Sequence, residues 1–302
     1  MPSPRSHFPG VLVPLVTPTH DDGSLAPDVL PALIDFLLAA GITGLVVAGT
    51  TGEGYALDAG ERALMLREVR AIAAGRVPVL AGVGGTATRE ALAQATAAAE
   101  GGVDGLMVAA PAYCLPTGEE LGRHVLAVLE HAALPAVLYD YPARTGVPFG
   151  VDALDLLAPH PLVVGIKEAS GELGRIEVLQ QRYGVDLPIV CGSDTLALRY
   201  FEAGSDSWIA GFANALPAEH VEMLAATQRG DLPAARQVEQ RLAPILADVE
   251  RDHYIARTRR ALIARGIPVG PPRAPLQPLG PDDTAAMLHH LAVLGHAAQP
   301  VR

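Results

Sequence analysis

The stretch PLVVGIKE, residues 161–168, decides how the rest of the chain is read. Leu162 to Ile166 run without a polar residue, the pattern of a strand buried on both faces in a parallel sheet covered by helices. The run ends in Lys167, the single lysine beside 21 arginines in 302 residues. Arg stays charged under nearly all conditions, whereas a desolvated Lys can lose its proton and become a nucleophilic amine. One ammonium kept at a strand end, where Arg serves every other basic position, marks that end for chemistry.

Working outward, seven similar runs share this character: GVLVPLVTP from Gly10, GLVVAG from Gly44, VPVLAGV from Val77, GLMVAAP from Gly105, PAVLYDYP from Pro135, LPIVCGS from Leu187 and SWIAGF from Ser207. Between them, stretches such as DAGERALMLREVRAIAA and TATREALAQATAAAE begin near acidic or Thr residues and end near Gly, as helices prefer. Eight strands alternating with eight helices predict a closed (β/α)8 TIM barrel of the α/β class rather than an open doubly wound sheet. GVGGT at residues 82–86 is too short and wrongly spaced for a dinucleotide fingerprint. After about residue 228 the pattern turns wholly helical, so residues 1–228 read as the catalytic barrel and 229–302 as a C-terminal helical extension. The Pro-rich segment 268–281 reads as a rigid connection packed on the surface.

Composition narrows the function. Half the residues are hydrophobic, and 31 Gly with 26 Pro fit a well-cored protein with many short turns. A formal charge of −11 without any Lys/Arg-rich run argues against nucleic acid. The cluster Arg257, Arg259 and Arg260 is expected on a solvated helix face. Cys114 and Cys191 are too few and too far apart for a disulfide scaffold or zinc site, which suits a reducing cytoplasm. MPSPRSHFPG lacks the apolar core of a signal peptide, and the most membrane-like stretch, Val29 to Gly49, is broken by Asp35 and GITG. A soluble, cytoplasmic protein with no membrane partner is expected.

Chemistry in such a barrel gathers at the C-terminal ends of strands. There the sequence places Gly49–Glu53, then Pro111–Tyr113, then Tyr139–Pro142, and then Lys167. Each has an ordinary reading: a packed tyrosine, a Gly-rich turn capped by a threonine, a lysine stem along apolar neighbours. Together they suit one reaction. A neutral Lys attacks a 2-oxo acid to form a Schiff base whose protonated nitrogen is the electron sink for a carbanion equivalent at C3. Burial lowers the Lys pKa, and a Tyr linked through a Thr to a second Tyr relays protons. Arg144 suits a substrate carboxylate.

At these residues the chain resembles the dihydrodipicolinate synthase and N-acetylneuraminate lyase family of pyruvate-dependent class I lyases. One signature stands as GLVVAGTTGEG, and the other as YDYPARTG followed by GIKEA, with 28 residues from Tyr139 to Lys167. The resemblance implies Lys167 as the Schiff-base lysine, Tyr139 as the phenol beside it, and Thr50 and Tyr113 as the rest of the proton relay. Thr51 with Thr50 matches the hydroxyls that hold the pyruvate carboxylate. Arg144 matches the arginine that receives the carboxylate of aspartate semialdehyde in the synthase branch. Ile209 matches a residue whose backbone carbonyl faces the lysine, and Gly192 lies at the preceding strand end. The Tyr matching Tyr113 reaches into a neighbouring subunit in the family, implying a homodimer or homotetramer. No cofactor and no metal are implied, since the substrate itself is bound covalently.

Departures also stand in the sequence. Ala112 precedes Tyr113 where many synthases carry a second Tyr, and Asp140 replaces an Asn. Ala59 and Arg62 occupy positions that hold histidines in lysine-inhibited synthases, which argues against a feedback site like theirs. Trp208 and Phe212 replace smaller residues and are expected to reshape the pocket. Alternatives within the family are sugar-acid aldolases, dehydratases of deoxy-keto acids and pyrroline-carboxylate deaminases. Outside it stand a metal-dependent barrel lyase, which the scattered histidines do not favour, and a non-catalytic sensor of 2-oxo acids.

Overall fold

A computed structural model describes residues 6–296. Residues 1–5 and 297–302, the outer ends of the expected barrel and extension, lie outside the described residues. Eight strands close into a barrel in sequence order: β1 Gly10–Pro14, β2 Gly44–Val47, β3 Val79–Val83, β4 Gly105–Ala109, β5 Ala136–Asp140, β6 Val163–Glu168, β7 Ile189–Cys191 and β8 Ser207–Ile209. Every pairing is parallel, and β1 pairs with both β2 and β8. The aliphatic runs are explained by two separate cores. Leu12, Val46, Leu80, Met107, Val137, Val190 and Ile209 fill the barrel interior, with Phe8 packed among them. Their strand neighbours, such as Val13, Leu45, Val79 and Leu138, point the other way into the layer shared with the helices.

The helices between strands are α1 Leu30–Ala39, α2 Ala59–Ala73, α3 Thr88–Glu100, α4 Gly118–Ala132, α5 Pro142–Thr145, α6 Val151–Leu157, α7 Leu173–Arg182 and α8 Ala197–Glu202, and α9 Pro217–Gln228 follows β8. Sequence explains several ends. Asp58 and Thr117 each accept a bond from the N–H three residues on, while Glu61 and Glu120 reach back, closing reciprocal caps on α2 and α4. One more helix lies between β5 and β6 than the simple alternation predicts. Pro142 opens the one-turn α5, and Gly146, left-handed at φ 81°, ends it before α6 can begin.

Beyond α9 come α10 Leu232–Arg251, α11 Tyr254–Ala264 and α12 Pro281–Val293. The arginine cluster of α11 departs from expectation, because Arg257 and Arg259 are fully buried rather than on a solvated face. Arg257 is surrounded by the carboxylates of Asp248, Asp252 and Asp283. Arg259 reaches back to the barrel, donating to Glu53 Oε1 at 2.7 Å, to the Thr17 carbonyl at 2.8 Å and to the Val269 carbonyl at 2.7 Å. A guanidinium tolerates burial when its planar fork is filled with acceptors in this way. The Pro-rich connection closes the same junction. The Arg273 backbone N–H donates to Glu53 Oε2 at 2.9 Å, and Arg273 Nη1 donates to Glu61 Oε2 at 2.6 Å. Trp208 and Phe212 are a second departure. Both are fully buried in the outer layer, with Trp208 against Phe201 and His220, and neither lines the pocket they were expected to reshape.

Candidate active site

Register brings the central pair together. On β5 and β6, Tyr139 lies directly opposite Lys167, and strand alternation turns both side chains into the barrel. Lys167 is only 5% exposed, and its Nζ lies 4.1 Å from the centroid of the Tyr139 ring. Burial pushes the lysine pKa down to about 8, against the opposite pull of Asp194, Tyr141 and Cys191. A useful fraction of free amine is thus present near neutrality. Burial likewise pushes the Tyr139 phenol up to about 12, while a hydrogen bond from Thr50 and the charge of Arg144 work the other way. At neutral pH the phenol holds its proton.

The same alternation sends the next residues outward. Asp140 and Glu168 are fully buried beneath the helices, where Arg175 of α7 pairs with Asp140 and Tyr200 of α8 donates to Glu168. Arg175 Nε also stands 3.7 Å from Glu168 Oε1, so one guanidinium ties the ends of β5 and β6 together just below the reactive pair. The Asn-to-Asp departure at Asp140 therefore has a cationic partner, although burial still raises the Asp140 pKa.

The threonines come from the loop after β2. Ala48 and Glu53 both hold positive φ, at 56° and 51°, an uncommon backbone for residues with a Cβ. The strain is held by bonds from outside: Thr17 Oγ1 donates to the Gly52 carbonyl at 2.6 Å, and Glu53 is fixed by Arg259 and Arg273. Thr50 and Thr51 face a cavity of about 400 Å³ together with Tyr139, Arg144, Lys167, Gly192 and Ile209. Arg144 stands exposed at its rim, 5.9 Å from the Tyr141 ring centroid. Gly192 is required by close approach, since a Cβ there would strike the Glu168 carbonyl.

Seven of the eight site residues named from sequence thus meet at one cavity. The exception is Tyr113. It is 91% exposed in the loop after β4 with φ 72°, beside the exposed Cys114 and Leu115, and it does not line this chain's cavity. Tyr141, placed at a strand end from sequence without a role, also lines the cavity, and three further residues were missed by the sequence reading: Asp194, Glu250 and Tyr254. Asp194 carried a readable signal, three residues past the end of β7. Tyr254 carried none, because only the packing of α11 back onto the barrel brings it here. A smaller cavity of about 160 Å³ lies beyond Tyr139 and Thr50, among the ends of β2, β3 and β4. Arg62 closes it, donating to the Gly82 and Gly54 carbonyls at 2.8 Å each. Among the described residues no group of three or more His, Cys, Asp or Glu could hold a metal ion, and no helix is long and apolar enough to cross a membrane.

A barrel mouth that buries one amine of depressed pKa beside a phenol, with paired hydroxyls opposite, is the constellation of a Schiff-base-forming class I lyase. Comparison with known proteins agrees. The model of the dihydrodipicolinate synthetase family matches residues 7–292, and the chain belongs to this family. It is 35% identical over 293 residues, covering 97% of each chain, to 4-hydroxy-tetrahydrodipicolinate synthase 2 of Streptomyces coelicolor. Among solved structures it superposes on dihydrodipicolinate synthase from Aquifex aeolicus with a TM-score of 0.92 and 29% identity, over 97% of this chain and 100% of that one. A chloride-inhibited dihydrodipicolinate synthase from Acinetobacter baumannii, complexed with pyruvate, gives a TM-score of 0.88 at 30% identity, covering 96% and 99%.

Proposed function

We propose that the protein condenses pyruvate with aspartate semialdehyde through a Schiff base on Lys167. The observation that carries this reading is the buried Lys167 amine held over the Tyr139 ring in a cavity lined by two threonines and rimmed by an arginine. In this mechanism the amine attacks C2 of pyruvate, and Tyr139 and Thr50 pass protons as the carbinolamine loses water. Thr51, with Thr50, anchors the pyruvate carboxylate. The iminium draws electrons as a proton leaves C3, and the resulting enamine attacks the aldehyde, whose carboxylate rests on Arg144. The carbonyl of Ile209 and the backbone at Gly192 shape the wall facing the lysine. The substrate is its own covalent intermediate, so no cofactor or metal takes part.

Tyr113, turned outward on this chain, completes the relay in the cavity of a neighbouring subunit, so the working unit is at least a homodimer and, by the same reading, a homotetramer. Residues 1–228 form the catalytic domain and 229–302 the extension, and the protein works in the cytoplasm on small molecules alone. Turnover of pyruvate with a panel of aldehydes tests the assignment. Consumption of pyruvate with aspartate semialdehyde is expected. Inactivity with that aldehyde, together with cleavage or dehydration of deoxy-keto acids or deamination of a pyrroline carboxylate, would move the chain to one of its relatives' reactions.

A further inference from the structure

Asp194, on the loop after β7, is 6% exposed in the wall of the main cavity. Its Oδ2 accepts from the Phe212 N–H at 2.8 Å and from the Tyr254 hydroxyl at 3.4 Å. Its Oδ1 is buried with no hydrogen-bond partner, and among the described residues no arginine, lysine or histidine forms an ion pair with it. A buried carboxylate in this condition is costly unless a cation answers it. Tyr254 reaches it from the extension because residue 211 is glycine: a Cβ there would collide with the phenol oxygen.

We propose that Asp194, oriented by Tyr254, is the charge partner of the Lys167 nitrogen during catalysis, an inference that rests on the Schiff-base reading above. The chemistry requires such a partner. The ammonium and the carbonyl compound give an iminium and water: the N–C bond forms, the C–O bond breaks, and the oxygen leaves with two of the nitrogen's protons. The nitrogen is positively charged as the resting ammonium, neutral as the attacking amine and the carbinolamine, and charged again as the iminium until C3 gives up its proton to form the neutral enamine. The other groups near Lys167 do not supply the counter-charge. Cys191 on β7 is pushed up by burial and stays a thiol, and Tyr139 on β5 holds its proton. Tyr141, one residue past β5, lines the cavity, and His220 of α9 is held neutral by burial. Glu250 of α10 is engaged with the Thr195 hydroxyl at 2.6 Å and the Thr195 N–H at 3.2 Å, and Glu168 faces outward to Tyr200. Arg144 and Arg251 stand exposed at the outer edge of the cavity. Consistently, Asp194 is the strongest of the influences that keep the lysine protonated.

The test is the pH dependence of borohydride trapping of pyruvate on the wild-type, D194N and Y254F proteins, read as initial rate by intact mass. In D194N the midpoint for the lysine should fall by about one pH unit, because the charge that holds its proton is gone. In Y254F the carboxylate loses its phenol donor and acts more strongly on the lysine, so the midpoint should move upward. Opposite displacements are not expected of two variants that merely loosen the fold. If D194N does not fold, as judged by circular dichroism, Y254F decides alone: an upward displacement supports the inference and an unchanged midpoint overturns it. A D194N profile superimposable on a wild-type protein that traps pyruvate normally would overturn the inference while leaving the Schiff base intact. Absence of trapping in the wild type would instead defeat the Schiff-base reading.

Discussion

Replacing Lys167 with Met should make the protein more stable at neutral pH while abolishing its chemistry. Burial holds Lys167 at about 8 against 10.5 for an ordinary lysine. That drop of about 2.5 corresponds to roughly 3 kcal/mol charged against the folded state for carrying an ammonium in an apolar wall. The sign follows from proton binding. Below pH 8 folded and unfolded chains both hold the proton, and the cost is borne in full. As pH rises from 8 to 10.5 the folded chain has released the proton and the unfolded chain has not, so stability increases until the cost is gone. Met has similar length and no charge to desolvate, but it forfeits the contact of Nζ with the Tyr139 ring at 4.1 Å, about 1 kcal/mol. Desolvation is the larger quantity, leaving a net gain of roughly 2 kcal/mol at pH 7. Urea unfolding of both proteins at pH 7 and pH 10, in the same oligomeric state, measures it. A Lys167→Met protein no more stable than wild type at pH 7, or an advantage that does not shrink by pH 10, would refute the reasoning.

Tyr139→Phe should lower kcat by about 10²- to 10⁴-fold by removing the proton carrier, with the unfolding midpoint nearly unchanged, as steady-state kinetics and thermal melting would show. Arg144→Ala should raise KM for the second substrate and leave borohydride trapping of pyruvate intact, because the arginine stands exposed at the rim whereas the lysine is buried in the cavity. Arg259→Met strands the buried Glu53 carboxylate and should cost about 3–5 kcal/mol in denaturant unfolding. Its companion effect, a higher KM for pyruvate through the loosened threonine loop, separates it from a distant core mutation. Tyr113→Phe mixed with Lys167→Ala protein should regain activity on subunit exchange if the outward phenol serves a neighbouring site, whereas an unchanged mixture would place Tyr113 outside the relay.

The barrel was legible because each strand must be apolar on both faces, a pattern that PLVVGIKE and GLVVAG carry without help from distant residues. The same locality made Tyr139 and Lys167 readable: both fall at strand ends, and the observed register sets them opposite each other. Arg257 and Arg259 were misread because charge is a local property and burial is not. Their environment is made by Asp248 and Asp283 on two other helices and by Glu53, 206 residues away in the chain. Trp208 was misread through a parity question: it precedes the inward Ile209 by one position and so must face the helices. Tyr254 lay outside any strand end and could enter the site only by the folding back of α11.

The central claim is that Lys167 forms the covalent intermediate, and mapping the adduct after borohydride reduction with pyruvate tests it most directly. The account predicts a single reduced adduct per chain, on the peptide containing Lys167, and none in Lys167→Arg protein, whose guanidinium cannot form it. Folded, oligomeric wild-type protein that yields no adduct with pyruvate or any other 2-oxo acid, or an adduct located elsewhere, would contradict it.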